Sequence, residues 1–113
     1  MGPVMRYSAM DGTHVWGYLF PRDTAHYDES TTDVMKHLAG EVIEAATEYS
    51  ALESLDTDGD EADALGVAME LLDVIHVAES ALRRLEDAYG VDIGRAYRNV
   101  IKKNRRRGYY DRP

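Results

Sequence analysis

The sequence predicts an all-α fold, an antiparallel helical hairpin followed by a C-terminal helix. Two long segments and one shorter one carry apolar residues at intervals of three and four, the period of an amphipathic helix. Residues typical of helix starts precede the first and the third segment. Three such helices expose more apolar surface than they can cover together. We therefore expect homo-oligomerisation, as a homodimer or homotetramer, to complete a four-helix bundle core.

Residues 1–30 are predicted to form an irregular N-terminal arm, and residues 31–113 a helical domain. Five glycines and prolines interrupt any helix in the arm. Trp16, Tyr18 and Phe20 alternate with other residues, which is the period of a strand. An isolated strand is not stable, so we expect the arm to pack across the helices. The alternative interpretation is that its aromatic side chains line a pocket for a nucleobase.

The first helix is predicted from the capping cluster Ser30–Asp33 to about Leu55. Its apolar residues lie on one face: Met35, Leu38, Val42, Ala45, Tyr49 and Leu52. The second helix is predicted from about Glu61 to Tyr89, with a weak point at Gly66 and a stop at Gly90. Its face comprises Ala68, Leu71, Ile75, Ala78, Leu82, Leu85 and Tyr89.

A third, shorter helix is predicted to begin after Asp92, which can cap its N-terminus. Ile93, Ala96, Tyr97, Val100 and Ile101 share one face of this helix. The helix leads into the strongly basic stretch from Lys102 to Arg107.

The composition of the chain excludes several classes of site and of protein. The chain of 113 residues has no cysteine, which excludes disulfides and thiolate metal sites. No apolar run approaches the roughly 20 residues of a membrane span, and the first residues lack the apolar stretch of a secretory signal. We therefore expect a cytoplasmic protein without membrane contact.

The charge is distributed unevenly along the chain. Residues 1–94 carry 20 acidic and 5 basic side chains, a balance of −15, whereas residues 95–113 carry 8 basic and 1 acidic, a balance of +7. The acidic body disfavours nucleic acid as a partner. The basic tail is suited to phosphate groups, including those of a small nucleotide.

Two pairs of carboxylates are the main candidates for a functional site. Glu41 and Glu44 lie three residues apart in the first predicted helix, and Glu70 and Asp73 do so in the second. Side chains at this spacing share one helix face. The linker is long enough for a hairpin that brings the two pairs side by side. Four carboxylates from two helices would suit a hard divalent cation such as Mg²⁺, with Mn²⁺ as a substitute.

Rival interpretations of the acidic residues fit less well. A calcium loop starting at Asp56 requires Gly at its sixth and Glu at its twelfth position, where the chain has Glu61 and Val67. A ferritin-like di-iron site requires two Glu-x-x-His arms. Asp73 and His76 resemble one arm, and the first helix offers no second, so a di-iron site would need a homodimer to duplicate this pair. The remaining alternative is a solvated or arginine-paired acidic face.

The basic tail offers phosphate ligands. Lys103, Asn104 and Arg107 end a helix that we expect to fold back toward the carboxylates. Lysine and arginine are the usual partners of phosphate, and asparagine adds a neutral donor. The alternative is that these cations complement the dipole at the helix C-terminus.

With these residues in place, the sequence resembles the MazG-like, all-α nucleoside triphosphate pyrophosphohydrolase family. The resemblance covers about residues 33–110. It consists of Glu-x-x-Glu, a spacer, Glu-x-x-Asp and a short helix that ends in Lys-Asn-x-x-Arg with a nearby tyrosine. The corresponding residues here are Glu41, Glu44, Glu70, Asp73, Lys103, Asn104, Arg107 and Tyr109.

The resemblance implies that the four acids bind Mg²⁺ and are the catalytic residues. It implies hydrolysis of a (deoxy)nucleoside triphosphate between the α and β phosphates, giving the monophosphate and pyrophosphate, with the tail residues binding phosphate. It also implies dimers or dimers of dimers. Two alternatives stay open: a phosphoribosyl-ATP pyrophosphohydrolase, and a non-catalytic helical assembly or regulatory module. The residues of the base pocket are not predicted.

Overall fold

The computed structural model describes residues 6–7, 14–26, 28–54 and 61–111, and this part of the chain is mainly helical. The helices are α1 (Thr31–Glu53), α2 (Glu61–Tyr89) and α3 (Ile93–Arg106). The helical fold class is therefore confirmed. Helix α2 continues through Gly66, where the sequence predicts a weak point. In the described ranges, no helix is long and apolar enough to cross a membrane.

The N-terminal arm contains a short two-stranded ladder. Strand β1 (Arg6–Tyr7) pairs antiparallel with β2 (His14–Val15), and Arg6 lies opposite Val15. The alternation of Trp16, Tyr18 and Phe20 predicts a strand, but the observed strand β2 ends at Val15, immediately before these residues. The loop containing Asp56, which carries the calcium-loop hypothesis, lies outside the described residues.

Local capping explains where the helices begin and end. The Ser30 hydroxyl accepts a hydrogen bond from the backbone N–H of Asp33 at 3.1 Å, so it caps α1. The Asp92 carboxylate accepts one from the N–H of Arg95 at 3.0 Å and caps α3. Gly90 follows α2 with a φ of 66°, a left-handed conformation that favours glycine. Each of these boundaries agrees with the sequence prediction.

The chain divides into two compact units, which we describe separately. The arm unit combines Met1–Arg22 with Leu82–Pro113, and the hairpin unit is Asp23–Ala81. The hairpin unit contains α1 and the greater part of α2, and the arm unit contains the end of α2 and α3.

Within the hairpin unit, α1 and α2 run antiparallel. Glu44 of α1 lies beside Glu70 of α2, whereas Ala51, two turns later in α1, lines the same cleft as Asp63. The residue numbers thus rise on one helix as they fall on the other. This agrees with the predicted hairpin arrangement and brings Glu41 and Glu44 of the first acidic pair beside Glu70 of the second.

The hairpin unit buries few apolar side chains. Val34, Ala45, Val67 and Val77 are buried. All seven residues of the apolar face predicted for α2 are exposed or half-buried. The exposed large apolar residues of this unit are Met35, Val42, Ile43, Tyr49, Leu65, Met69, Leu71 and Leu72. The helices of one chain therefore leave a broad apolar surface uncovered, as the sequence predicts.

In the arm unit, Tyr18 attaches the arm to α2. Its side chain is only 6% exposed, and its hydroxyl donates a hydrogen bond to Glu86 at 2.8 Å. The Arg83 guanidinium lies 4.0 Å from the centre of the Tyr18 ring and donates to the Phe20 carbonyl. Trp16 packs against the Tyr18 ring at a centroid distance of 5.2 Å. The described aromatic residues of the arm thus pack against the helices. This agrees with the first of the two interpretations given above, that the arm packs across the helices.

This packing predicts a loss of stability at alkaline pH. Burial, together with the hydrogen bond to Glu86, raises the pKa of Tyr18 well above its ordinary value. The folded chain then keeps a proton that the unfolded chain loses above about pH 10. The free energy of unfolding should therefore fall as the pH rises beyond that point. Urea titrations should show a smaller fall in Tyr18→Phe, and an equal fall would contradict this account.

Candidate metal centre

Three glutamates converge in the hairpin unit. Glu41, Glu44 and Glu70 each offer a carboxylate oxygen, and these oxygens all lie within 4.8 Å of one another. In the described part of the chain, this is the one group of acidic or histidine side chains close enough together to hold a metal ion. Helix α1 supplies two of them one turn apart, and the hairpin register brings the third alongside. Three of the four predicted ligands thus meet.

The fourth predicted ligand, Asp73, lies at the edge of this group. Its side chain is exposed, and it does not belong to the set within 4.8 Å. It is still close enough for its charge to act on Glu70. The charge of Glu48 raises the pKa of Glu70 more strongly than that of any other carboxylate. Glu48 was not among the predicted site residues, although it lies one helical turn beyond Glu44 and on the same face.

The electrostatics of the group are unfavourable without a cation. Desolvation, followed by the charges of Glu48, Glu44, Asp73 and Glu41, raises the pKa of Glu70 above its ordinary value. The Oε2 atoms of Glu41 and Glu70 are both buried, and neither has a hydrogen-bond partner in the described structure. Buried polar atoms are normally paired, because an unpaired one loses its hydration without compensation. A cation or a hydrogen-bond donor placed at these two oxygens would supply the partner that the described residues do not.

Histidines border the acidic group without joining it. The His37 Nε2 lies 3.4 Å from Oε1 of Glu41. The rings of His37 and His26 lie 5.7 Å apart, and Asp23 contacts His26 Nδ1 at 2.8 Å. His76 Nε2 lies 4.0 Å from Asp23 Oδ2. His76, the histidine on which the di-iron hypothesis depends, therefore contacts Asp23. The converging group itself consists of glutamates.

The neighbouring carboxylate also changes the titration of His26. Its hydrogen bond with Asp23 raises the pKa of His26, and the same bond lowers the pKa of Asp23. The two shifts agree in sign, as expected for an ion pair between them. Asp23 therefore stays ionised beside this histidine.

The predicted phosphate ligands belong to the arm unit. Lys103, Arg107 and Tyr109 are exposed. The Asn104 side chain donates a hydrogen bond to the Tyr110 hydroxyl at 3.1 Å, and the backbone carbonyl of Asn104 accepts one from the backbone N–H of Tyr109. The chain therefore turns back on itself after α3. Phosphate binding by these residues stays a prediction.

Comparisons with protein families, with curated proteins and with solved structures found no match to this chain. The resemblance to the MazG-like family therefore rests on the residues named above.

Proposed function

We propose that the chain is a Mg²⁺-dependent nucleoside triphosphate pyrophosphohydrolase of the MazG-like kind. The observation that carries this proposal is the convergence of Glu41, Glu44 and Glu70, in which two buried oxygens have no hydrogen-bond partner among the described residues. Carboxylate oxygens are the ligands that Mg²⁺ prefers, and a cation would offset the repulsion among them. The donor set thus fits the metal. Glu41, Glu44, Glu70 and Asp73 would hold it, with Glu48 close by.

The proposed reaction is attack of water on the α phosphorus. A bond forms between the water oxygen and that phosphorus, and the bond from the phosphorus to the α–β bridging oxygen breaks. Mg²⁺, if bound there, would neutralise phosphate charge and lower the pKa of the attacking water. Glu44, the most exposed of the three converging glutamates, is suited to accept the water proton. Pyrophosphate leaves, and the nucleoside monophosphate remains.

Binding of the leaving phosphates is assigned to the basic tail. Lys103 and Arg107 are exposed cations, and neither has an ion-pair partner in the described residues. The exposed Tyr109 hydroxyl can donate to a phosphate oxygen. Asn104 would have to exchange its contact with Tyr110 for one with phosphate.

Self-association belongs to the same proposal. The exposed apolar residues on both helices of the hairpin unit are suited to packing against the equivalent hairpin of a second copy. That arrangement would complete a four-helix bundle. Light scattering should then give a mass of two or four times 12.7 kDa.

Product analysis tests the reaction. We expect pyrophosphate and a nucleoside monophosphate from at least one member of a panel of canonical and modified (d)NTPs in Mg²⁺, and none with EDTA. Phosphoribosyl-ATP belongs in the panel, because its exclusive cleavage would favour the histidine-synthesis enzyme. No release from any nucleotide would contradict the proposal and favour a non-catalytic helical assembly.

A further inference from the structure

A cleft between α1 and α2 lies in the hairpin unit, beside the acidic group. Its volume is about 490 Å³. The residues that line it are Thr47, Glu48, Ala51, Leu52, Asp63 and Val67. Its apolar lining, which we call the apolar floor, consists of Val67, Leu52 and Ala51, which are buried, half-buried and exposed, respectively. The cleft can thus receive the face of a flat, apolar ring.

The polar groups around the cleft are hydrogen-bond acceptors. Glu48 of α1 and Asp63 of α2 supply carboxylates, and the described residues that line the cleft include no lysine or arginine. The Thr47 hydroxyl donates a hydrogen bond to the Ile43 carbonyl at 2.8 Å, so it can only accept a hydrogen bond from a ligand. A ligand edge with N–H donors would be favoured here. Phosphate or carbonyl oxygens facing these carboxylates would be repelled.

Glu48 connects the cleft to the acidic group. It lines the cleft, and its charge also acts on Glu70. It follows Glu44 by one helical turn, a rise of about 6 Å along α1. A nucleotide with its reacting phosphate at the acidic group could therefore place its base in the cleft. The apolar floor would contact the base, and the acceptors would meet its edge.

We propose that this cleft is the base pocket of the proposed pyrophosphohydrolase, and that Glu48 and Asp63 select bases with an exocyclic amine. This inference rests on the proposed function. Cytosine, adenine and guanine present amino groups that donate to a carboxylate. Uracil and hypoxanthine present a carbonyl oxygen, or no group, at the corresponding positions. The carboxylate would then repel that oxygen or lose its partner.

Two matched substrate pairs test this selectivity. dCTP differs from dUTP by an amine in place of a carbonyl, and dGTP differs from dITP only by its amine. We expect kcat/KM to favour the amino member of at least one pair by about tenfold or more, within the range of discrimination that such contacts give. In Glu48→Gln, the new amide can donate to a carbonyl, so the dCTP to dUTP ratio should fall about tenfold.

Two controls separate a specific effect from a general one. Glu53 is an exposed glutamate of α1 that does not line the cleft, so Glu53→Gln should keep the wild-type ratios. Asp63→Asn tests the opposite wall. Binding of the non-hydrolysable α,β-methylene analogues of dCTP and dUTP, measured by calorimetry in Mg²⁺, should show the same preference without turnover.

The outcomes distinguish this inference from the proposed function. Pyrophosphate release without preference in either pair would overturn the base selection alone. Ratios that stay unchanged in both Glu48→Gln and Asp63→Asn would overturn the assignment of these two residues. A loss of activity shared equally by all bases would place Glu48 in the metal site. Absence of release from every nucleotide would overturn the proposed function and this inference together.

Discussion

We expect Glu70→Gln to lower kcat for pyrophosphate release by at least about a hundredfold while α1 and α2 stay helical. The substitution keeps the size of the side chain but removes a charge that the proposed cation needs. A bound metal contributes several kcal/mol of charge stabilisation to such a transition state, and each 1.36 kcal/mol is tenfold in rate. Initial rates in Mg²⁺ measure the loss, and far-UV circular dichroism measures helicity.

The same variant should behave differently in the absence of metal. Its neutral side chain removes both causes of the raised pKa of Glu70, which are desolvation of the charge and repulsion by the neighbouring carboxylates, so its thermal midpoint in EDTA should equal or exceed that of wild type. The raised pKa also means that folding favours the protonated form. Wild type in EDTA should therefore become more stable as the pH falls through the range just above the ordinary glutamate pKa, and Glu70→Gln should lack this gain.

The matched control is Glu53→Gln, which removes one charge from the exposed part of α1. It should leave kcat and the response to Mg²⁺ unchanged. Wild-type turnover in Glu70→Gln would contradict the metal site. A lower thermal midpoint of Glu70→Gln in EDTA would show that the carboxylate is paired in the folded chain.

We expect Tyr18→Ala to lower the free energy of unfolding by about 3 kcal/mol, the lower end of the cost of removing a buried aromatic side chain. The substitution removes the ring beneath Arg83 and the partner of Glu86, and it leaves Trp16 without one of its ring contacts. Urea titration followed by circular dichroism measures the change.

Tyr18→Phe separates packing from hydrogen bonding in the same side chain. It keeps the ring and loses only the hydroxyl contact with Glu86, so we expect a cost of about 1 kcal/mol. Equal and small effects of both substitutions would contradict the role of this ring in holding the arm.

The helices were predictable because their determinants are local. Ser30 and Asp92 cap helices through hydrogen bonds to residues three positions later, and apolar spacing marks the helical segments between the breaks. The pairing of Glu41 and Glu44 on one face follows equally from helix geometry. Their convergence with Glu70 was predictable only after an antiparallel hairpin had been assumed.

Features that depend on contacts between distant residues were not predictable. The contact of Tyr18 with Glu86 joins residues 68 positions apart, and the path of the arm decides it. Glu48 was overlooked because a search for pairs three residues apart stops at Glu44, whereas the register of the hairpin brings the next turn beside Glu70 as well. The edge position of Asp73 likewise depends on the rotation of α2, which the sequence pattern does not determine.

Direct metal binding tests the central claim, that the converging glutamates form a cation site. Mn²⁺ binding can be followed by electron paramagnetic resonance in wild type, Glu41→Gln, Glu70→Gln and the Glu53→Gln control. The account predicts that wild type and the control bind Mn²⁺, that Mg²⁺ displaces it, and that the two site variants lose most of their affinity. Equal affinity in all four proteins would contradict the site and identify the glutamates as an ordinary acidic surface.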